Sequence, residues 1–207
     1  DMRDTSSGLT EAFTEGARSR GANVIDIGMV STDTLYFAVA SQGLDGGAMV
    51  TASHNPKQYN GMKLVRAGAV ALSGDRGINE VREAALGPEP SASTSTAGSL
   101  TSQDVNGAFV EHCLSFIDLA KLRPLNLVLD AGNGMGGPAA QRVFERLPFR
   151  RTDLFFEPDG NFPNHPADPL VEENRRDIIA AVKEKGADLG IAWDGDADRC
   201  FFIDDTG

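Results

Sequence analysis

The stretch Gly46-Gly47-Ala48-Met49-Val50-Thr51-Ala52-Ser53-His54-Asn55-Pro56 runs from a small, apolar segment straight into a turn. Residues 46–51 read as a strand, and Asn55 and Pro56 suit a turn that holds a side chain out of the strand line. Ser53 is thus presented at the carboxyl end of a strand. The same arrangement recurs far downstream. Ala187 to Trp193 reads as an apolar strand that delivers Asp194-Gly195-Asp196-Ala197-Asp198-Arg199.

Working outward, strands alternate with helices. Ser6 or Ser7 can cap a helix through Leu9, Ala12, Phe13 and Ala17, with Gly21 as its stop. Residues 23–27 form a short strand. Ser31 or Thr32 caps a second helix through Leu35, Tyr36 and Val39, which ends near Gly43. Residues 61–65 are a further strand, followed by a helix through Ile78, Val81 and Ala85. Residues 87–99 are a low-complexity run of Pro, Ser, Thr, Ala and Gly, which reads as a linker or mobile surface loop. The alternation then resumes: a helix over about 103–118, a strand over 125–130, a helix through Ala140, Val143 and Phe144, a strand near 151–156 and a helix from about Glu172 to Lys185. This order predicts an α/β fold, with two domains of mixed, mainly parallel sheet flanked by helices. The first domain spans 1–86 and the second 103–207, joined by 87–102. In such folds ligands bind beyond the carboxyl ends of strands, where Ser53 and Asp194 both sit.

Composition narrows the function classes. The 207 residues are 41% hydrophobic, enough to bury a core. Acids outnumber bases 30 to 19, for a net charge of -11, which argues against a nucleic-acid binder. An anionic substrate stays compatible, because the field in a cleft can oppose the net charge. No stretch approaches the ~20 apolar residues of a membrane span, and no basic-then-apolar leader opens the chain. A cytoplasmic protein with no membrane association is expected. Cys113 and Cys200 lie far apart in apolar contexts and are expected to be buried free thiols. A loop and helix open the chain and a strand and turn close it, so the sequence is expected to be cut at both ends.

Three carboxylates at alternate positions in one loop repel one another. At an effective dielectric of ~20 and ~5 Å, each pair costs roughly 3 kcal/mol. A hard divalent cation removes that penalty, and Mg²⁺ suits a site with few protein ligands that also binds phosphate. An EF-hand is excluded, since Arg199 stands where its loop needs glycine and Asp205 where it needs glutamate. Ser53 alone is an ordinary turn serine, His54 a surface histidine and Lys63 a solvent-facing strand lysine. Beside a cation-binding loop, Ser53 becomes a candidate phosphoryl carrier, and Lys63 a group to hold phosphate or shuttle a proton. Gly132, Gly134 and Gly137 fit a dinucleotide-binding pattern, with Asp153 about twenty residues on. That acid precedes its strand residues instead of ending them, so a close strand-to-helix turn of small residues is the better reading. The turn-rich stretch 159–166, with His165, reads as a rigid structural loop.

Taken together, these motifs resemble the α-D-phosphohexomutases. Thr51-Ala52-Ser53-His54-Asn55-Pro56, with Tyr59-Asn60-Gly61-Met62-Lys63, is similar to that family's serine loop, and Asp194 to Arg199 to its metal loop. Asp1-Met2-Arg3 with Ser6-Ser7, Asp130-Ala131-Gly132-Asn133-Gly134 and Phe162-Pro163-Asn164-His165 resemble further landmarks in the same order. The Thr-Ala-Ser form and Asn60 to Lys63 are closer to the phosphomannomutase/phosphoglucomutase type than to phosphoglucosamine mutase. The resemblance implies that Ser53 rests as phosphoserine. It implies Mg²⁺ held by Asp194, Asp196, Asp198 and a phosphoserine oxygen on Ser53. His54, Lys63 and Arg199 would contact phosphate or assist proton transfer. The reaction implied is phosphoryl transfer between C1 and C6 of a hexose phosphate through a hexose 1,6-bisphosphate, which also serves as activator. It implies four domains, of which this chain matches two and lacks the opening strand of the first, so the chain alone is expected to have little or no mutase activity. The rival readings are a non-catalytic Mg²⁺-binding fragment and a phosphatase-like phosphoserine protein.

Overall fold

The computed structural model describes residues 1–88 and 96–207. Six α-helices and nine strands are found among the described residues, in the order α1 (Ser6–Ser19), β1 (Val24–Asp26), α2 (Thr32–Ser41), β2 (Gly46–Val50), β3 (Met62–Arg66), β4 (Val70–Ala71), α3 (Asn79–Leu86), β5 (Leu100–Ser102), α4 (Asn106–Leu114), β6 (Asn126–Asp130), α5 (Gly136–Phe144), β7 (Arg150–Leu154), α6 (Arg176–Lys185), β8 (Leu189–Trp193) and β9 (Cys200–Ile203). The fold is mixed α/β with helices flanking both parallel and antiparallel sheets.

The downstream sheet has the order β7-β6-β8-β9, with three parallel strands and β9 added antiparallel at the edge. Its central strand β6 is buried along Leu127, Val128, Leu129 and Asp130, as a strand covered on both faces requires. Val128 meets Ile178 and Val182 of α6, with Ala187, Ala192 and Ile203 completing the cluster. On α5, Phe144 stands edge-on to Trp193 at 6.3 Å. The upstream half is built differently. β2, β3 and β4 form an antiparallel sheet against α2, with Leu35, Val39, Met49 and Val65 as its core. Parallel pairing of β2 and β3 would need a crossover of a dozen or more residues, and the short connection 51–61 permits only a hairpin.

Two local expectations, on Ser6/Ser7 and on the thiols, are revised; one choice of cap is resolved, and one expectation lies partly outside the described residues. Ser6 and Ser7 lie inside α1 and do not cap it; Ser6 Oγ donates to Asp1 at 2.6 Å. Ser31 is the cap of α2, accepting from Thr34 N. The linker expected over 87–102 falls partly on residues 89–95, outside the described residues, and its end is the strand β5, which pairs in parallel with β1. The thiols are free, but Cys113 is only half-buried and Cys200 is exposed. Cys200 opens an edge strand whose residues alternate between solvent and core, so the apolar run Cys200-Phe201-Phe202-Ile203 buries only Ile203 fully.

Ile178, fully buried, and Phe202, 66% exposed, give a direct test of where the downstream core lies. Ile178→Ala is expected to cost about 2–5 kcal/mol in urea unfolding. Phe202→Ala should shift the midpoint little.

Candidate active site

Both motif loops are hairpin connections. Residues 51–61 join β2 to β3 and residues 194–199 join β8 to β9, and the two loops meet face to face. The contact is backbone on backbone. A Cβ on Gly195 would lie 2.4 Å from the Ser53 carbonyl oxygen, and one on Gly134 would lie 2.7 Å from the Gly195 oxygen. Only glycine lets these chains approach so closely. Gly137 presses more closely still on the Phe156 backbone, and Gly136 packs against the Trp193 side chain. The glycine run after β6 therefore serves close packing, as its reading as a small-residue turn anticipated.

Ser53 has φ of 53°, an unusual left-handed conformation for a residue with a side chain. Its N–H donates to Thr51 Oγ1 at 2.9 Å, and the residue is 8% exposed. Its hydroxyl donates to Asp194 Oδ2 at 2.8 Å and accepts from Arg199 Nη2 at 2.7 Å. Arg199 also donates through Nε to Asp194 Oδ2 at 3.1 Å, and through Nη2 to His54 Nδ1. Lys63, on β3, donates to Asp196 Oδ2 and Asp198 Oδ2, each at 2.5 Å. All seven residues singled out in the sequence thus fall in one cluster spanning both halves of the chain.

The three carboxylates offer oxygens within 4.8 Å of one another. Asp194 and Asp196 are buried, whereas Asp198 is partly exposed. Burial and the charge of Asp196 push the Asp194 carboxyl above the usual range. Burial also opposes charge on Asp196, but its hydrogen bonds from Lys63 and Thr32 outweigh this and hold it low. Asp196 Oδ2 is occupied by Lys63 and Thr32, while its buried Oδ1 has no hydrogen-bond partner. A buried carboxylate oxygen left unpaired is costly unless something positive meets it. An all-oxygen donor set with such an atom fits a hard cation of the Mg²⁺ kind.

Two participants escaped the sequence reading. The sequence marks Thr32 only as a possible cap; its hydroxyl donates to Asp196 Oδ2 at 2.5 Å, and its N–H to the Asp196 carbonyl at 3.0 Å. The sequence marks Arg3 only by its place in a motif, yet it is 3% exposed and bonded to the serine loop. His165 matches its structural reading. One ring nitrogen lies 3.1 Å from Asp130 Oδ2 and the other 2.9 Å from the Pro166 carbonyl oxygen, fixing the 159–166 loop to the end of β6.

With that geometry established, comparison with known proteins identifies the family. Models described as phosphoglucomutase/phosphomannomutase, alpha/beta/alpha domain I and domain II, match residues 1–87 and 107–207. The chain belongs to the phosphoglucomutase/phosphomannomutase family. A protein of Xanthomonas campestris named "Phosphohexose mutases" is 48% identical over 207 residues, covering 100% of this chain and 46% of that protein. A phosphomannomutase of Salmonella typhimurium is 45% identical, covering 100% and 47%. A solved family member from Burkholderia thailandensis is 38% identical with a TM-score of 0.84, covering 100% of this chain and 45% of that one. The chain spans about half the length of the relatives it matches. Among the described residues no helix is long and apolar enough to cross a membrane.

Burial alone would lower the His165 pKa, but Asp130 and the Pro166 carbonyl raise it above its ordinary value. The stability it contributes is complete below the unfolded histidine pKa of about 6.5 and is lost as pH rises through the raised value. In urea unfolding, the gap between wild type and His165→Gln should be widest at about pH 6 and shrink toward about pH 9. A gap independent of pH would contradict a charged His165.

Proposed function

We propose that the protein is a phosphohexomutase of the phosphomannomutase/phosphoglucomutase type, moving phosphoryl between C1 and C6 of a hexose phosphate through Ser53. The observation that carries this reading is the setting of the Ser53 hydroxyl. It lies between Arg199 and Asp194, beside a buried Asp196 oxygen with no partner. The names of the relatives support the same activity.

In the resting form Ser53 carries phosphate. A substrate hydroxyl attacks phosphorus, the bond to Ser53 Oγ breaks, and the hydroxyl proton ends on Oγ, relayed by His54 or Lys63. The resulting hexose 1,6-bisphosphate reverses its orientation and returns its other phosphoryl group to Ser53. The same bisphosphate, added from outside, charges an unphosphorylated serine and so acts as activator. Arg199 presents a planar fork to the phosphoryl oxygens, and Lys63 a compact charge. Catalysis of this kind rests on positioning and charge neutralisation, which a site fixed by two hairpin loops supplies. Asp194, Asp196 and Asp198, with a phosphoserine oxygen, would hold Mg²⁺, which when bound neutralises phosphoryl charge. Ser53 is only 8% exposed, a setting that limits the access of water to its hydroxyl.

Peptide mass spectrometry after incubation with glucose 1,6-bisphosphate should place phosphate on Ser53, and Ser53→Ala should take up none. Phosphate on some other residue, with Ser53→Ala still charged, would end this reading. The acidic loop is tested without turnover, by Mg²⁺ calorimetry. Asp196→Asn should abolish measurable binding, and Thr32→Val should weaken it by about 10–100-fold, the usual effect of losing a ligand's hydrogen-bond partner. Unchanged affinity in both variants would remove the cation from these residues.

A further inference from the structure

The guanidinium of Arg3 is spent almost wholly on backbone. Nη1 donates to the carbonyls of Pro56 and Tyr59, both at 3.0 Å, and Nη2 to those of Ser53 and Asn55, both at 2.7 Å. Four carbonyls drawn from seven consecutive residues thus converge on one planar fork. Backbone carbonyls in an irregular loop have no ladder to satisfy them, and buried ones need a donor. Arginine alone among side chains offers two terminal nitrogens with paired hydrogens held rigidly in one plane.

Arg3 is itself fixed from three directions. Asp1 Oδ2 lies 3.3 Å from its Nε, and the Phe162 ring lies 5.3 Å from its guanidinium carbon. Behind it, Gly160 sits so close that a Cβ there would lie 2.9 Å from the Arg3 Cα. The downstream half therefore backs the same side chain that grips the upstream serine loop. The gripped loop includes Ser53 in its left-handed conformation, a state that persists only where the surroundings over-determine it.

We propose that Arg3 is a positioning residue: its four-carbonyl clamp fixes the loop 53–59 so that the Ser53 hydroxyl stays between Arg199 and Asp194. Arg3 donates nothing to the hydroxyl itself and acts only through the loop backbone. Its consequence for phosphoryl transfer rests on the mutase reading above, while its effect on loop order does not.

The test uses this chain with Arg3→Lys and Arg3→Ala, and two readouts. Hydrogen exchange should rise in peptides covering residues 52–60 of both variants, while peptides of β6 and β8 stay protected as in wild type. Lysine keeps the charge but cannot serve four carbonyls, so Arg3→Lys should resemble Arg3→Ala. The rate of Ser53 phosphorylation by glucose 1,6-bisphosphate should fall by about 10²-fold, the scale of a misplacement near 1 Å. Low concentrations of guanidinium chloride should restore part of it in Arg3→Ala and none in Arg3→Lys. Unchanged exchange over 52–60, full phosphorylation by Arg3→Lys, or equal loss of protection throughout the chain would overturn the proposal. A wild type that takes up no phosphate would instead sink the mutase reading, and the exchange data would then decide the clamp alone.

Discussion

The structure depends on a balance of charge at one point. Asp194, Asp196 and Asp198 crowd a single hairpin loop, and the protein answers with Lys63 and Arg199. Lys63 comes from the upstream half and the carboxylates from the downstream half, so the answer to the repulsion also ties the halves together. Thr32 reinforces the tie from the start of α2. Ion pairs of this kind add little stability compared with apolar packing, but removing one partner leaves a buried charge uncompensated, which costs about 3–5 kcal/mol. The balance is thus worth more as a constraint on relative position than as a source of stability.

Glycine makes the balance possible. Gly195 and Gly134 let three stretches of backbone stack, and that stacking brings Ser53 within reach of Asp194. Two antiparallel hairpins, and not the ends of a shared parallel sheet, provide the facing loops. The serine motif and the aspartate motif, legible separately in the sequence, are what the two hairpins gather.

The sequence revealed the parts whose signal is local. Ser53, its turn formers and the alternating aspartates are each legible within a few residues, and the apolar strands that carry them are short continuous runs. Three kinds of feature escaped. Arg3 acts on carbonyls from 50 to 56 positions away, and carbonyls leave no mark in a sequence because every residue has one. β5 hid just beyond a low-complexity run, at the end of the expected linker, because its pairing with β1 is a backbone matter that three ordinary residues can satisfy. The exposure of Cys200 depends on β9 lying at a sheet edge, and edge position belongs to the topology and not to the run Cys-Phe-Phe-Ile.

The bond between Ser53 and Asp194 joins residues 141 positions apart. A ribosome adding ~5–20 residues per second delivers the aspartate on the order of ten seconds after the serine. Through that interval the nascent chain holds Ser53 and Arg3 without the acidic loop that Ser53 bonds. Lys63 emerges early too, so the first charges made at the site are positive, and the loop that answers them arrives last. The bond from Ser53 to Asp194 can therefore form only late in synthesis, and a chain stalled before Asp194 would hold the serine turn without its acidic partner.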